Sequence, residues 1–181
     1  MPAATADTPR VWIGCLFHYN TGTLVGEWFD AVGADTVSLA DVHRGGPPVT
    51  DDCEELWCMD SDNIPTDDEM SPMHAASWGE GGVLARVPAD RRQAFYAWVR
   101  SGDYVTGSDD VPDLDAFDER FCGQWPSFAD FSYNVAQSSL LRDVSAEIVL
   151  YFNHAAYARD LEVGYTVVSA PGGGVFVFRS S

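Results

Sequence analysis

The sequence predicts an α+β protein, and three patterns along its 181 residues support that prediction. The first is a pair of aromatic and β-branched runs joined by a turn near the N-terminus, which is typical of paired strands. The second is a series of helix signals that begins near residue 66. The third is a glycine-rich turn between two apolar runs near the C-terminus, which indicates a hairpin.

The first part of the chain predicts a small sheet with one helix. The runs RVWIGCLF (10–17) and TLVGEWFDA (23–31) flank the turn YNTG, so they predict two strands. The segment TVSLADVHR (36–44) predicts a short helix that ends before glycine and proline. The segment EELWCM (54–59) predicts a third strand.

From about residue 66 the pattern becomes helical. Thr66 precedes three acidic residues, which predicts an N-cap with carboxylates in the first turn of a helix. ADRRQAFYAWVRSG (89–102) places its large apolar residues at helical spacing. DLDAFDERFCG (113–123) does the same with its leucine and phenylalanines, and the opposite face of this predicted helix consists of carboxylates.

The last third predicts helices followed by two strands. SFADFSYNVAQ (127–137) predicts one helix, and the segment 141–161 predicts one or two more. YTVVSA and VFVFR then flank PGGG, where the glycines allow the positive φ angles of a hairpin turn.

The charge balance is the most unusual feature of the composition. The chain has 28 Asp and Glu residues, 10 Arg and no Lys, for a formal net charge of -18. Direct binding to nucleic acid is excluded as a function, since phosphate contacts need clustered Lys and Arg. The same composition is also typical of a salt-adapted surface, which stays an alternative reason for the acidity.

The acidity is concentrated in two parts of the chain, which a uniform salt-adapted surface does not explain. Residues 51–85 carry ten acids and no base, and residues 103–119 carry seven acids and no base. The stretch between them, 86–102, has a net charge of +3. The last 62 residues sum to only -1. The partner of these two acidic segments should be a basic or DNA-binding protein.

Two segments of the sequence partly match the spacing of a metal site. Cys53 and Cys58, with His43 and His74 nearby, fall within the loosest zinc spacing, but Trp57 and the adjacent carboxylates favour a buried strand. The run from Asp60 begins like a calcium loop, yet it has proline where that loop requires glycine. The sequence therefore predicts no metal site and no cofactor.

Other signals argue against an enzyme and against export. The chain has no nucleophile elbow, phosphate loop or dinucleotide fingerprint. Its N-terminus MPAATADTPR lacks the pattern of a secretory signal, and four scattered cysteines do not suit a disulfide framework. We therefore expect a cytoplasmic protein with reduced thiols and without enzymatic activity.

Two parts of the sequence resemble the ArdA antirestriction family. YNTGTLVGEWFDA (19–31) is similar to the N-terminal signature of that family. RFCGQWPSFADF (120–131), YFNHAAYARDL (151–161) and the final hairpin (175–179) resemble its C-terminal domain in order and spacing. The segment 45–80 matches the family poorly, and residues 127–139 are less acidic than the corresponding helix in the family.

The resemblance implies an elongated chain of three small domains that forms a homodimer through its C-terminal domains. The expected domains are an N-terminal antiparallel sheet with a short helix (1–64), a helical middle domain (65–119) and a C-terminal α+β domain (120–181). The resemblance also implies a protein that imitates bent B-form DNA and occupies the DNA groove of Type I restriction-modification enzymes. It implies no catalysis, no direct binding to nucleic acid and no membrane partner.

The predicted partner-binding residues are the acids of the two charged segments, which would replace DNA phosphates. They are Asp51, Asp52, Glu54, Glu55, Asp60, Asp62, Asp67, Asp68, Glu69, Asp103, Asp109, Asp110, Asp113, Asp115, Asp118 and Glu119. One alternative is an acidic protein that binds another basic DNA-binding protein by the same electrostatics. A second alternative is a small metal-using enzyme with a site at Cys53 and Cys58.

Overall fold

The protein has an α+β fold, as predicted from the sequence. A computed structural model describes residues 8–79, 82–107 and 110–180. It contains two three-stranded antiparallel sheets and several short helices. The chain divides into two compact units, Met1–Arg92 with Thr106–Pro112 and Gln93–Val105 with Asp113–Ser181. The division into three domains stays a prediction.

The chain contains six strands and several helices among its described residues. The strands are β1 (Arg10–Cys15), β2 (Gly26–Asp30), β3 (Leu56–Asp62), β4 (Phe121–Trp125), β5 (Tyr165–Ser169) and β6 (Val175–Arg179). The helices are α1 (Leu16–Asn20), α2 (Leu39–Val42), α3 (Pro72–Trp78), α4 (Val83–Arg86), α5 (Arg92–Ser101), α6 (Leu114–Arg120), α7 (Phe128–Ser138), α8 (Ala146–Val149) and α9 (His154–Glu162). Two 3₁₀ helices cover Ala31–Thr36 and Ala89–Arg91.

The first sheet has the order β2-β1-β3, with both outer strands antiparallel to β1. Alternate residues of β1, beginning with Val11 and Ile13, are fully buried, so one face of this strand forms the core of the first unit. The Trp12 ring covers Gly14 and Gly26, where any side chain would collide with it. The glycines of this region therefore allow an indole to lie flat on the sheet.

Three predicted boundaries in the first unit were wrong. The segment 10–17 leaves the strand after Cys15 and enters the short helix α1, which also includes Tyr19 and Asn20 of the predicted YNTG turn. The third strand begins two residues later than predicted and extends to Asp62. Thr66 does not cap a helix, because its hydroxyl bonds to Asp68 in a local turn, and α3 starts after Ser71 instead. A proline at the first position of α3 favours that start.

The second sheet has the order β4-β6-β5 and carries apolar side chains on both faces of β6. Val177 packs with Phe128 and Phe131 of α7. Phe178 lies on the opposite face of the strand, in ring contact with Phe117 of α6. The central strand is thus buried on both sides, which explains its continuous apolar sequence.

The elements predicted in the last third are present, with one strand that the sequence did not reveal. Helix α7 and the hairpin β5-β6 match their predictions, and the segment 141–161 forms two helices, α8 and α9. The predicted helix 113–123 ends at Arg120, and the chain passes directly into β4. Gly123 has φ +100 and lies at a shift in the β4-β6 register, so β4 is short and irregular.

Candidate functional site

The first acidic block, which we define as residues 51–69, lies on the loop before β3, on β3 itself and on the loop after it. All of its acidic side chains are exposed. They are Asp51, Asp52, Glu54, Glu55, Asp60, Asp62, Asp67, Asp68 and Glu69. The segment has no Arg or Lys to neutralise them. This segment therefore presents nine exposed carboxylates to solvent without a base among them.

An irregularity in β3 turns the two acids of this strand away from the core. Cys58 faces inward and is 2% exposed, and regular alternation would place Asp60 and Asp62 on the same face, yet both acids are exposed. The register of β3 against β1 shifts between Trp12 and Ile13, which marks a bulge beside this point. Cys58 lies opposite Ile13 and Asp60 lies opposite Trp12, so Met59 is the extra residue of the bulge, and this bulge turns the two carboxylates away from the core.

The second acidic block, residues 103–119, is anchored on α6 in the second unit and on a turn in the first. Asp115, Asp118 and Glu119 are exposed on the outer face of α6, opposite the buried Phe117. Asp110 is exposed as well, with a positive φ of 57. Asp109 lies outside the described residues.

Two acids of the second block also have structural roles. Asp113 is the N-cap of α6, and its Oδ1 accepts the backbone N–H groups of Asp115 (2.8 Å) and Ala116 (3.2 Å). Asp103 is half-buried, and its Oδ2 accepts the Thr166 hydroxyl at 2.6 Å. Their charges still add to the field of the block, but these two carboxylates are less available to a partner than the exposed ones.

Three ion pairs of the described residues lie outside both blocks. Arg10 pairs with Asp30 at 3.8 Å, Arg44 with Asp41 at 2.7 Å, and Arg159 with Asp160 at 3.4 Å. Arg92, which sits between the blocks in the sequence, donates a guanidinium hydrogen bond to the Leu84 carbonyl at 3.4 Å. This hydrogen bond supports the first unit and gives Arg92 a structural role.

A group of cysteine and histidine side chains lies beside the first acidic block. The ligand atoms of Cys15, His18, His43 and Cys53 are all within 4.8 Å of one another. Burial raises the pKa of the Cys15 thiol, whereas the hydrogen bond with the Thr50 hydroxyl lowers the pKa of Cys53. These residue types could hold a soft or borderline metal ion.

This group differs from the zinc set considered in the sequence. Only His43 and Cys53 are shared between the two sets. Cys58 is buried in the sheet, and this burial raises its pKa to about 12. The Nε2 atom of His74 accepts the indole N–H of Trp78 within α3 at 3.4 Å. The sequence shows that Cys15 and His18 have C-x₂-H spacing. It does not show that these two side chains lie close to Cys53.

Helix length and composition bear on membrane contact. Among the described residues, no helix combines the length and the apolar character that crossing a membrane requires.

Comparison with known proteins identifies one family. The model of a family described as antirestriction protein (ArdA) matches residues 11–176, which is most of the chain. The match includes the N-terminal signature at 19–31 and extends through the poorly conforming middle to the final hairpin. A search of curated proteins finds no significant match.

Proposed function

Because this chain belongs to the ArdA antirestriction protein family, we propose that it inhibits Type I restriction-modification enzymes by mimicking DNA. In this proposal the two acidic blocks occupy the groove in which such an enzyme normally holds duplex DNA. The protein breaks and forms no covalent bond, and inhibition follows from competition for the same basic side chains.

The observation that carries the proposal is the exposure of every acidic side chain in the first acidic block. Arg and Lys residues that grip phosphates can accept carboxylates instead, since both are anionic and both accept charge-assisted hydrogen bonds. No base lies between residues 51 and 85 to compete internally for these carboxylates. The acids are therefore available to an external partner.

The amount of charge also suits this role. Two chains at -18 each carry -36 in a homodimer. Duplex DNA carries one negative charge per about 1.7 Å of its axis, so the same charge corresponds to about 60 Å of duplex. A length of that order fills the binding channel of an enzyme that encloses DNA.

We expect the affinity of this protein for a Type I enzyme to fall steeply with salt. Binding between 50 and 200 mM salt should weaken at least tenfold, whereas proteins with 6–10 phosphate contacts lose about 10³–10⁵-fold on DNA. Direct binding by calorimetry or fluorescence anisotropy at four salt concentrations measures the slope, and a DNA-cleavage assay measures inhibition. Undiminished cleavage at low salt, with the protein in excess over the enzyme, would contradict the proposal.

The homodimer is the second part of the proposal, and the exposed apolar side chains of the second unit support it. Large apolar residues with high exposure lie in the chain segment between α7 and β5, namely Leu140, Ile148, Leu150, Tyr151 and Val163. Tyr151 is 85% exposed and Val163 is 87% exposed. Exposed apolar surface typically marks a contact with another chain, and the last 62 residues have a net charge of only -1 to oppose their own copy.

Sedimentation equilibrium tests the dimer. We expect the natural chain to be dimeric at micromolar concentration and the double variant Leu150→Asp with Tyr151→Asp to be monomeric, because two charges would then have to be buried. Met73→Asp is the matched control, since Met73 is also 75% exposed but lies in the first unit. A natural chain that stays monomeric, or a control that dissociates equally, would contradict the interface.

A further inference from the structure

Four potential metal ligands converge in the first unit from three separate segments. Cys15 is the last residue of β1, and His18 lies one turn later in α1. His43 follows the last residue of α2, and Cys53 lies in the turn before β3. Their ligand atoms come within 4.8 Å of one another although the residues span 38 positions. Such convergence of two cysteines and two histidines is the composition of a structural zinc site.

Local structure holds each segment at this point. Ser38 and Asp41 form a capping box that starts α2 and thereby places His43 at its end. The hydrogen bond from Ser38 lowers the pKa of Asp41. The backbone N–H of Cys53 donates to the Thr50 carbonyl at 3.0 Å, which forms the turn that carries this cysteine. The site is thus assembled on defined backbone elements.

The distances fit tetrahedral coordination. His18 Nδ1 lies 3.4 Å from Cys15 Sγ and 3.6 Å from Cys53 Sγ. Zinc bonds of about 2.3 Å to sulfur and about 2.0–2.1 Å to nitrogen place neighbouring sulfur and nitrogen ligands about 3.5–3.6 Å apart. The widest separations in the group, up to 4.8 Å, would contract by about 1.0–1.4 Å around an ion. Side-chain rotation is sufficient for a change of that size.

The imidazole of His43 is oriented as a ligand. Its Nδ1 lies 2.8 Å from the Pro47 carbonyl, so Nδ1 carries the hydrogen and Nε2 presents a lone pair. His43 is 6% exposed, and its Nε2 has no hydrogen-bond partner among the described residues. A buried nitrogen without a partner is unfavourable. The combination of a backbone carbonyl on one nitrogen and a free lone pair on the other is typical of a metal-bound histidine.

The charges of the group favour a divalent ion. Two thiolates and two neutral imidazoles around Zn²⁺ give a net charge of zero, which removes the penalty for burying the ion. Nitrogen and thiolate ligands in a tetrahedral set favour zinc over magnesium or calcium. The neighbouring acidic side chains, of which Asp52 is close enough to affect Cys53, attract cations to this part of the surface.

We propose that Cys15, His18, His43 and Cys53 bind one Zn²⁺ ion, through Sγ of both cysteines, Nδ1 of His18 and Nε2 of His43. The ion is structural, because four protein ligands leave no open position for substrate. It ties the loop between α2 and β3, whose residues 44–52 are exposed, to the first sheet. This loop has few apolar contacts of its own, so the metal supplies the link that a core would otherwise provide.

The test uses the full chain, purified without a metal-binding tag in a phosphine reductant. We expect elemental analysis to find about one zinc per chain after dialysis. Cobalt added to the metal-free chain should saturate at one equivalent, with the ligand-field bands of a tetrahedral site and a thiolate charge-transfer band. Added zinc should then displace cobalt and remove both signals. None of these readouts involves a restriction enzyme, so they are independent of the proposed inhibition.

Variants locate the site. Cys53→Ser and His43→Gln should each weaken zinc binding at least about 100-fold, since changes in supporting residues alone cost about 10–100-fold. Cys122→Ser is the matched control, because Cys122 lies in the second unit and should keep one zinc per chain. A chelator should lower the melting temperature of the natural chain and leave that of Cys53→Ser unchanged.

Two results on the natural chain would overturn the proposal, and neither depends on whether a variant folds. One is a natural chain that is purified without zinc and takes up neither zinc nor cobalt at micromolar concentration after reduction. The other is a disulfide between Cys15 and Cys53, found by mass spectrometry in protein handled without reductant, together with no metal uptake after its reduction. Equal loss of zinc in Cys122→Ser would also overturn it.

Discussion

Neutralising six acids of the first acidic block should weaken binding to a Type I enzyme by about 10²–10⁴-fold, since exposed ion pairs contribute up to about 1 kcal/mol each. The six changes are Asp51→Asn, Asp52→Asn, Glu54→Gln, Glu55→Gln, Asp67→Asn and Glu69→Gln. Each replaced side chain is exposed, and each amide keeps the size of the carboxylate. The fold should therefore persist while the phosphate-like charges are lost.

A second variant with the same net charge distinguishes the effect of where the negative charges lie from the effect of their total number. It neutralises six exposed acids outside both blocks: Glu27, Asp35, Asp90, Asp143, Glu147 and Glu162. Both variants change the net charge from -18 by the same six charges. If the first acidic block is the contact surface, only the first variant should lose binding and the inhibition of DNA cleavage.

The outcome also discriminates between mimicry and salt adaptation. An equal loss in both variants would mean that total charge matters and that the proposed surface is wrong. Full inhibition by the first variant would show that the first acidic block is not the contact surface. Circular dichroism and melting temperature are needed for both variants, because a loss of folding would show that these acids have a structural role that their exposure does not indicate.

Phe117→Ala should destabilise the second unit by about 3–5 kcal/mol, which is the usual cost of truncating a buried phenylalanine. Phe117 is 2% exposed, and its ring lies 5.3 Å from that of Phe95 and 5.5 Å from that of Trp98 by centroid distance. It also stacks on Phe121 at 5.4 Å with an interplanar angle of 11°. One substitution therefore removes the centre of an aromatic cluster that joins α5, α6 and β6.

Urea unfolding followed by tryptophan fluorescence measures this effect, because Trp98 belongs to the cluster. Phe117→Leu is the matched control and should cost about half as much or less, since it retains most of the apolar volume. An alanine variant within about 0.5 kcal/mol of the natural chain would be the behaviour of a surface position. That result would contradict the packing described here.

Some elements could be predicted because their signals are local. The alternation in β1 and the glycine turn between β5 and β6 depend on residues that are neighbours in the sequence. The amphipathic spacing of α6 likewise placed Phe117 inside and Asp115 outside, as observed. In each case the spacing of the apolar residues predicts which face of the strand or helix is buried.

The errors arose where two local signals competed. Thr66 followed by acids is a valid N-cap pattern, yet its hydroxyl bonds within a turn, and the proline after Ser71 begins the helix. Strand β4 contains a glycine and only five residues, so its periodicity is too short to detect. It is a strand because β6 offers it hydrogen bonds, and that partner lies about fifty residues away.

The sequence by itself determined the α+β class and the concentration of charge in two base-free blocks, because composition and periodicity are properties of a linear chain, and its motifs and family match determined the membership of the ArdA family. Only the tertiary structure decided which acids also cap helices or accept internal hydrogen bonds, as Asp113 and Asp103 do. It alone brought Cys15 and His18 to His43 and Cys53. Contacts of that kind depend on how loops close over a sheet, and residue spacing does not encode loop closure over such distances.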